Sequence, residues 1–227
     1  MIQENNTAFL QPAEFIDSDH PSVVMFAQQA VAGVGGELDR AVALYYAVRD
    51  AIKYDLYIDY TNPANFRASG VLLAGRGFCV GKTAVLAACC RAVGIAARAG
   101  YADVRNHLSS RRLWEFMQTD WFCWHSYAEL RIDDRWVKAS PAFDRALCER
   151  IGLSPLEFDG KTDSLFQAFD ADGRRRMEYL SWRGTFSDVP FEAILSDFRL
   201  HYPALIAATM QISGDFRLEA GAGSNQR

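Results

Sequence analysis

The sequence predicts an α+β fold in which one central helix packs on a small antiparallel sheet, with helices before it and a mixed extension after it. Apolar residues recur at helical spacing through the first quarter of the chain and again from Cys79 onward. Strand-like segments follow, and the last two are separated by Asp133 and Asp134, a pattern typical of a hairpin turn. With 227 residues, half of them hydrophobic, the chain is long enough to fold as one domain, residues 1–227.

Two helices are expected at the start of the chain. The first, 21–32, follows a capping Asp or Ser and ends before Gly33. The second, 36–53, has apolar and aromatic residues at helical spacing, namely Leu38, Val42, Tyr45, Val48 and Ile52. The segment that follows, 54–60, is rich in aromatic residues and is predicted to be extended.

The central helix is expected to begin at Cys79, run to about Ala92 and stop at Gly94. After it, the pattern predicts strands at 95–104, 122–132 and 135–143, a loop or short helix at 105–120, and a helix over 191–201 that ends before Pro203. The remaining residues beyond 145 are expected to be helical and irregular. We therefore expect a core over 50–144 and a C-terminal extension over 145–220 that packs on it.

The composition excludes several classes of function. A formal charge of −4 and a pI near 5.6 disfavour a nucleic-acid-binding protein, which normally presents a basic face. No apolar stretch is long enough to cross a membrane, and the first residues lack the pattern of a signal peptide. Five cysteines, an odd number, then favour reduced thiols and a cytoplasmic location.

Cys79 is the candidate nucleophile. It lies in Arg-Gly-Phe-Cys-Val-Gly-Lys-Thr, residues 76–83, where a helix is expected to begin. The helix dipole and free backbone N–H groups at that point are expected to lower the pKa of a thiol. A phosphate-binding loop is the alternative, since such loops end in Gly-Lys-Thr. That loop needs a glycine four residues before the Gly-Lys pair, and the chain has Arg76 there.

The other cysteines and histidines are weaker candidates. Cys89, Cys90 and Cys148 lie in helical stretches and are expected to be core residues. Cys123 could join Cys79 as a metal ligand, but no Cys-x-x-Cys pair completes a tetrahedral site, so we expect neither a metal nor another cofactor. His125 lies in a predicted strand between Cys79 and an acidic residue, the order of a nucleophile, a base and an orienting group.

Four segments together resemble the core of the transglutaminase-like superfamily over roughly residues 50–144. They are Gly-Phe-Cys-Val-Gly-Lys-Thr-Ala-Val-Leu, Cys-Arg-Ala-Val-Gly-Ile-Ala-Ala-Arg-Ala-Gly-Tyr, His-Ser-Tyr-Ala-Glu-Leu and Trp-Val-Lys-Ala-Ser-Pro, in that order. The resemblance implies a papain-like fold with a Cys-His-Asp site, as in bacterial cysteine proteases and amidases. It also implies that Cys79 is the nucleophile and His125 the general base.

The third member of the triad has two candidates. Relatives carry Asp-Pro after the strand that begins with Trp, and the aligned residue here is Ser140, before Pro141. Asp144 shares a strand face with Ser140 if the strand continues, so we expect the orienting carboxylate at Asp144. Asp133 and Asp134 are assigned to the hairpin turn.

An oxyanion site needs a second donor beside the backbone N–H of Cys79. Relatives use an upstream Trp or Gln, and no Trp precedes Cys79. The candidates for this donor or for the walls of the cleft are Tyr54, Tyr57, Tyr60, Asn65 and Trp124.

The expected function is a thiol-dependent hydrolase or acyl transferase that acts on amide bonds of peptide or protein substrates through a Cys79 thioester. The alternative is a catalytically silent binding domain on the same scaffold. The sequence predicts no nucleic-acid or membrane partner and no particular oligomeric state.

Overall fold

A buried helix, Cys79–Ala92, lies at the centre of the computed structural model, between three other helices and a four-stranded sheet. The structure describes residues 6–106, 111–166 and 177–208, together with Phe216 and Glu219. Its helices are α1 (Pro21–Ala30), α2 (Glu37–Ala51), α3 (Ala68–Ala74), α4 (Cys79–Ala92), α5 (Arg111–Met117), α6 (Arg145–Ile151), α7 (Phe191–His201) and α8 (Pro203–Ala208). Its strands are β1 (Lys53–Tyr54), β2 (Arg76–Gly77), β3 (Ala97–Asn106), β4 (Trp121–Ile132), β5 (Arg135–Ala139) and β6 (Met177–Phe186).

The sheet has the order β5-β4-β3-β6, and all of its neighbouring strands are antiparallel. Asp133 and Asp134 join β4 to β5 with φ angles of 48° and 62°. Two successive left-handed residues form the turn that matches the natural twist of a hairpin. The predicted hairpin and the predicted α+β class are both confirmed.

The central helix α4 is buried over nearly its whole length, because small residues let its neighbours approach closely. A side chain at Gly81 would place its Cβ 2.7 Å from the backbone oxygen of Asn65 in the short 3-10 turn Pro63–Asn65. The next residue, Lys82, is fully buried. Its ammonium donates to the backbone oxygens of Arg49 (2.8 Å) and Ile52 (2.6 Å) at the end of α2. Gly81 and Lys82 of the Gly-Lys-Thr sequence therefore serve helix packing, and the Lys82 ammonium is buried against the end of α2.

The chain approaches Cys79 through a short parallel ladder. β1 pairs with β2 so that Tyr54 lies opposite Gly77, and Arg76 forms an ion pair of 2.9 Å with Asp55. Residues 54–60 were predicted to be extended, but only Tyr54 belongs to a strand. The aromatic residues of this segment are nevertheless buried in the core, because a side chain can be buried without its backbone pairing in a β-sheet.

Several predicted boundaries hold and others do not. Helix α7 has the predicted bounds, Phe191–His201, and α4 ends at Ala92 as expected. The strand predicted over 135–143 is wrong beyond Ala139, since Pro141 has no N–H to continue the ladder. The ten-residue strand β6 is also contrary to the irregular structure expected beyond 145. Within the described ranges no helix has the length and apolar character needed to cross a membrane.

Candidate active site

Cys79 is the first residue of α4, and the residue before it, Phe78, is extended and offers no side-chain cap. The thiol therefore lies beside backbone N–H groups that no side chain occupies. Those of Ser126, Val80 and Cys79 itself lower the pKa of the thiol, but burial has the larger effect and raises this pKa to about 11. The expectation of an acidified thiol is thus wrong for this structure, because removal of water outweighs the helix terminus.

His125 lies on β4 opposite Ala102 of β3 and is 5% exposed. Its Nε2 atom has no hydrogen-bond partner among the described residues. The ring packs between two aromatic rings, with its centre 5.9 Å from that of Tyr179 and 6.3 Å from that of Phe166. Burial lowers the pKa of His125 to about 4, so the imidazole is neutral at pH 7.

Cys79 and His125 line one cavity with a volume of about 50 Å³, enough for a few water molecules. No hydrogen bond joins the thiol to the imidazole. In the described part of the chain the other lining residues carry no charge: Tyr54, Leu56, Tyr60, Phe78, Val104, Asn106, Met117, Phe122, Cys123, Trp124, Met177, Phe198, Tyr202 and Leu205. The structure thus brings a neutral thiol and a neutral imidazole to one apolar chamber.

The C-terminal helices supply part of this chamber. Phe198 and Tyr202 come from α7 and its C-terminal end, and Leu205 comes from α8. No sequence motif assigns these residues to the site. Their only signal was the apolar stripe of the predicted helix over 191–201, which does not reveal what the stripe faces.

Asp144 does not hydrogen-bond His125. Its carboxylate accepts from the backbone N–H of Tyr54 (2.8 Å) and from that of Leu147 (3.0 Å), so it caps the start of α6. Asp144 does not share a strand face with Ser140 as predicted, because β5 ends at Ala139.

Ser140 lies directly after β5 and is 1% exposed. Its backbone is paired with Ser164, whereas its hydroxyl has no hydrogen-bond partner within the described ranges. Continuing the register Ala128↔Ala139 by one residue places Ser140 opposite Tyr127, on the strand face of His125. Of the two candidates for the third member of the triad, Ser140 is therefore the one on the strand face of His125, but its side chain carries no charge.

Four of the five oxyanion or cleft candidates already use their side-chain donors. The recipients are Glu219 for Tyr57, the backbone oxygen of Leu56 for Tyr60, that of Asp59 for Asn65, and Asp197 for the indole of Trp124. The hydroxyl of Tyr54 donates to no residue that the structure describes. Burial and the neighbouring Cys79 sulfur raise the pKa of Tyr54 well above its usual value, so it remains a donor.

All five cysteines are free thiols. Cys89, Cys90 and Cys148 are fully buried, as predicted for core residues. Cys123 lines the cavity, and burial raises its pKa to about 11. Across the described residues, no group of three His, Cys, Asp or Glu side chains could hold a metal ion.

The protein thus has an α+β fold that brings a helix-terminal cysteine, Cys79, and a strand histidine, His125, to one cavity. The family model of the transglutaminase-like superfamily matches residues 24–141, slightly more than half of the chain. The chain therefore belongs to the transglutaminase-like superfamily.

Among the solved structures that resemble this chain is a "Putative Cysteine Protease" from Cytophaga hutchinsonii. The TM-score is 0.49 and the sequence identity 19% over 82% of this chain. The match covers 48% of that protein, so the present chain spans about half its length. No curated protein matches the chain.

Proposed function

We propose that this protein is a thiol-dependent hydrolase that cleaves amide bonds of peptides or proteins, with Cys79 as nucleophile and His125 as general base. The observation that carries this proposal is the shared cavity, where the unpartnered Nε2 of His125 and the thiol of Cys79 are the reactive groups. A buried imidazole nitrogen without a partner is costly, which is typical of a group reserved for a substrate or a proton transfer.

The neutral state of both groups favours general-base chemistry over a preformed ion pair. His125 accepts the thiol proton as the Cys79 sulfur attacks the carbonyl carbon, and the carbonyl π electrons move to the oxygen. When the tetrahedral intermediate collapses, the C–N bond breaks and the imidazolium gives its proton to the leaving amine. Water then attacks the thioester with His125 as base, which releases the acid and restores the thiol. An amine in place of water would give acyl transfer.

The oxyanion would be stabilised by the backbone N–H of Cys79 and by the hydroxyl of Tyr54. Tyr54 is the candidate whose donor is not already used, and it is close enough to influence the Cys79 sulfur. Loss of one such donor typically lowers kcat by about 100-fold or more. Tyr54→Phe is therefore expected to lower kcat by that order. The matched Tyr57→Phe is not, because Tyr57 does not line the cavity and its hydroxyl donates to Glu219.

The walls of the cavity favour an uncharged group at the scissile carbonyl. No lining side chain within the described ranges is charged, and the hydroxyls of Tyr60 and Tyr202 are bonded to backbone atoms. Burial of an unpaired charge in such a chamber would be strongly unfavourable.

The alternative function, a catalytically silent binding domain, is favoured by the electrostatics of the site. The thiol pKa is raised to about 11, the imidazole pKa is lowered to about 4, and no carboxylate among the residues that the structure describes is hydrogen-bonded to His125. A site of this kind could bind a segment of a partner without cleaving it.

An acyl probe tests the two functions against each other. We would incubate the protein with p-nitrophenyl acetate, whose acetyl group is small and uncharged, and locate the acetyl group by peptide mass mapping. Acetylation of Cys79 and not of Cys123, slowed strongly by His125→Ala and followed by release of acetate, supports the hydrolase. Turnover of a neutral peptide p-nitroanilide would extend the result to amides. If Cys79 is never acetylated between pH 5 and pH 10, the binding domain becomes the better description.

A further inference from the structure

A β-bulge lies directly before His125. The register between β3 and β4 changes from Ala102↔His125 to Val104↔Phe122, so that Cys123 and Trp124 together lie opposite Asp103. Trp124 has a φ of 60°, a left-handed conformation that is rare for a large side chain and costs free energy. A bulge of this kind changes the direction of the side chains that follow it. It therefore determines where the imidazole of His125 points.

The two backbone N–H groups of the bulge are bonded by side chains from other strands and helices. Trp124 donates its backbone N–H to Asp103 Oδ1 (3.2 Å), and Cys123 donates to the hydroxyl of Tyr202 (2.7 Å). The Tyr202 hydroxyl in turn donates to the backbone oxygen of Trp121 (3.1 Å). Neither bulged amide is left unpaired, which is expected of a bulge that is maintained.

The Trp124 side chain is held by ionic groups on two further elements. Its indole N–H donates to Asp197 Oδ2 on α7 (2.8 Å), and the Arg183 guanidinium lies over the ring, 4.5 Å from its centre. Arg183 bonds Asp197 through Nη1 (2.7 Å) and Asp103 through Nε. Asp103, Trp124, Arg183 and Asp197 thus form a closed ring of contacts.

Arg183 is itself the extra residue of a second bulge. The register between β3 and β6 changes from Tyr101↔Gly184 to Ala102↔Trp182, which leaves Arg183 without a partner on β3. The bulges of β4 and β6 therefore flank the same part of β3, and Arg183 spans them. An arginine fork can bond two carboxylates and stack on an aromatic ring at once, which lysine cannot do equally well.

We propose that Arg183 and Asp197 are positioning residues: they hold Trp124 in its left-handed conformation and so aim His125 at the cavity that contains Cys79. This inference rests on the proposed function, in which His125 is the base. It gives the C-terminal extension a role in the chemistry, since β6 supplies Arg183 and α7 supplies Asp197.

The test compares Arg183→Met with a matched control on the same sheet, Arg98→Met. Arg98 also pairs with a carboxylate, that of Glu129 (2.8 Å), and lies over an indole ring, that of Trp136 (4.2 Å). Three quantities are measured for each variant: the thermal unfolding midpoint, the rate of Cys79 acetylation by p-nitrophenyl acetate, and the imidazole NMR signal of His125. Arg183→Lys serves as the conservative variant, and it remains informative if Arg183→Met does not fold.

Arg183→Met is expected to slow acetylation by about 10- to 100-fold, since a displaced base costs up to about 100-fold. Arg98→Met is expected to retain the wild-type acetylation rate even where its loss of thermal stability is comparable. Arg183→Lys is expected to acetylate faster than Arg183→Met but more slowly than the wild type. The His125 signal is expected to broaden or double in Arg183→Met alone. Equal acetylation rates in the two Met variants, or an unchanged His125 signal in Arg183→Met, would overturn the inference. The NMR comparison decides the matter even if the wild type does not acetylate, a result that would count against the proposed function alone.

Discussion

The chamber around Cys79 leads to a quantitative prediction for Leu205→Ala. Leu205 on α8 is 3% exposed and lines the cavity. Burial raises the pKa of the Cys79 thiol to about 11, so a change that admits water should lower this pKa toward the ordinary value. The substitution removes part of the wall without touching Cys79 or His125.

The size of the effect follows from the two pKa values. At pH 7 a thiol with a pKa of about 11 is thiolate in about one molecule in ten thousand. A thiol with the ordinary pKa of about 8.5 is thiolate in about three molecules in a hundred, a ratio of about 300 that corresponds to about 3 kcal/mol. Partial hydration should give an intermediate pKa. We therefore expect Leu205→Ala to increase the rate of Cys79 alkylation at pH 7 by between about 10- and 300-fold.

The assay is iodoacetamide alkylation at a series of pH values, with Cys79 identified by peptide mass mapping. The midpoint of the pH dependence reports the thiol pKa, whereas the limiting rate reports access, so the two effects separate. Leu195→Ala is the matched control, because Leu195 is 4% exposed on α7 and does not line the cavity. A wild-type Cys79 that titrates near pH 8.5 or below, or a Leu205→Ala variant with an unchanged midpoint, would show that burial does not set the thiol pKa.

Three further predictions concern the imidazole and the core. Because burial lowers the pKa of His125 to about 4, kcat/KM should remain constant from neutral pH down to about 5 and fall only as His125 takes up a proton near pH 4; an acid limb near 6.5 would show that the imidazole is hydrated. Ser140→Asp, which adds a carboxylate on the strand face of His125, should raise the His125 pKa by one to three units in an NMR titration, and the neutral Ser140→Asn should not. Lys82→Met leaves two buried carbonyls at the end of α2 unpaired and should lower the free energy of unfolding by about 2–4 kcal/mol in urea denaturation, whereas a change below about 0.5 kcal/mol would show that these bonds contribute little.

The elements that the sequence predicts well are those with local signals. The apolar run behind Cys79 gives α4 its bounds, and Asp133 with Asp134 marks the hairpin, since both residues tolerate a left-handed backbone. The helix α7 ends at His201 before Pro203, as the restriction on residues before proline predicts.

The strand β6 could not be recognised in the same way. Its two register shifts against β3 break the alternation of inward and outward side chains that identifies a strand. Leu180 and Trp182 are about half exposed, contrary to the usual pattern of apolar residues on a buried face. The partner residues of β6 on β3 are also roughly 80 positions away in the chain, so no local pattern indicates the pairing.

The electrostatics of the site likewise depend on distant residues. The sequence correctly places Cys79 at a helix start, where a low thiol pKa is usual. The opposite shift arises because Phe198, Tyr202 and Leu205, more than a hundred residues later, help to exclude water. The position of Asp144 could not be predicted from strand alternation either, because β5 ends before it. Its carboxylate instead accepts hydrogen bonds from the backbone N–H groups of Tyr54 and Leu147.

The buried guanidinium of Arg91, near the end of α4, has a consequence for which part of the chain can fold alone. It donates to the backbone oxygens of Ala97 (2.8 Å), Gln11 (2.7 Å) and Ser187 (2.6 Å). Two of these three acceptors lie outside residues 24–141, the stretch that the family model matches. A fragment cut to that stretch would leave the guanidinium with one of its three backbone acceptors, and it would expose the core that Phe15, Ile16 and Phe191 now cover, a strongly destabilising change. The portion of the protein that is recognisable by homology is therefore smaller than the portion that can fold cooperatively, and expression of the homologous core alone should yield an unfolded or aggregating chain.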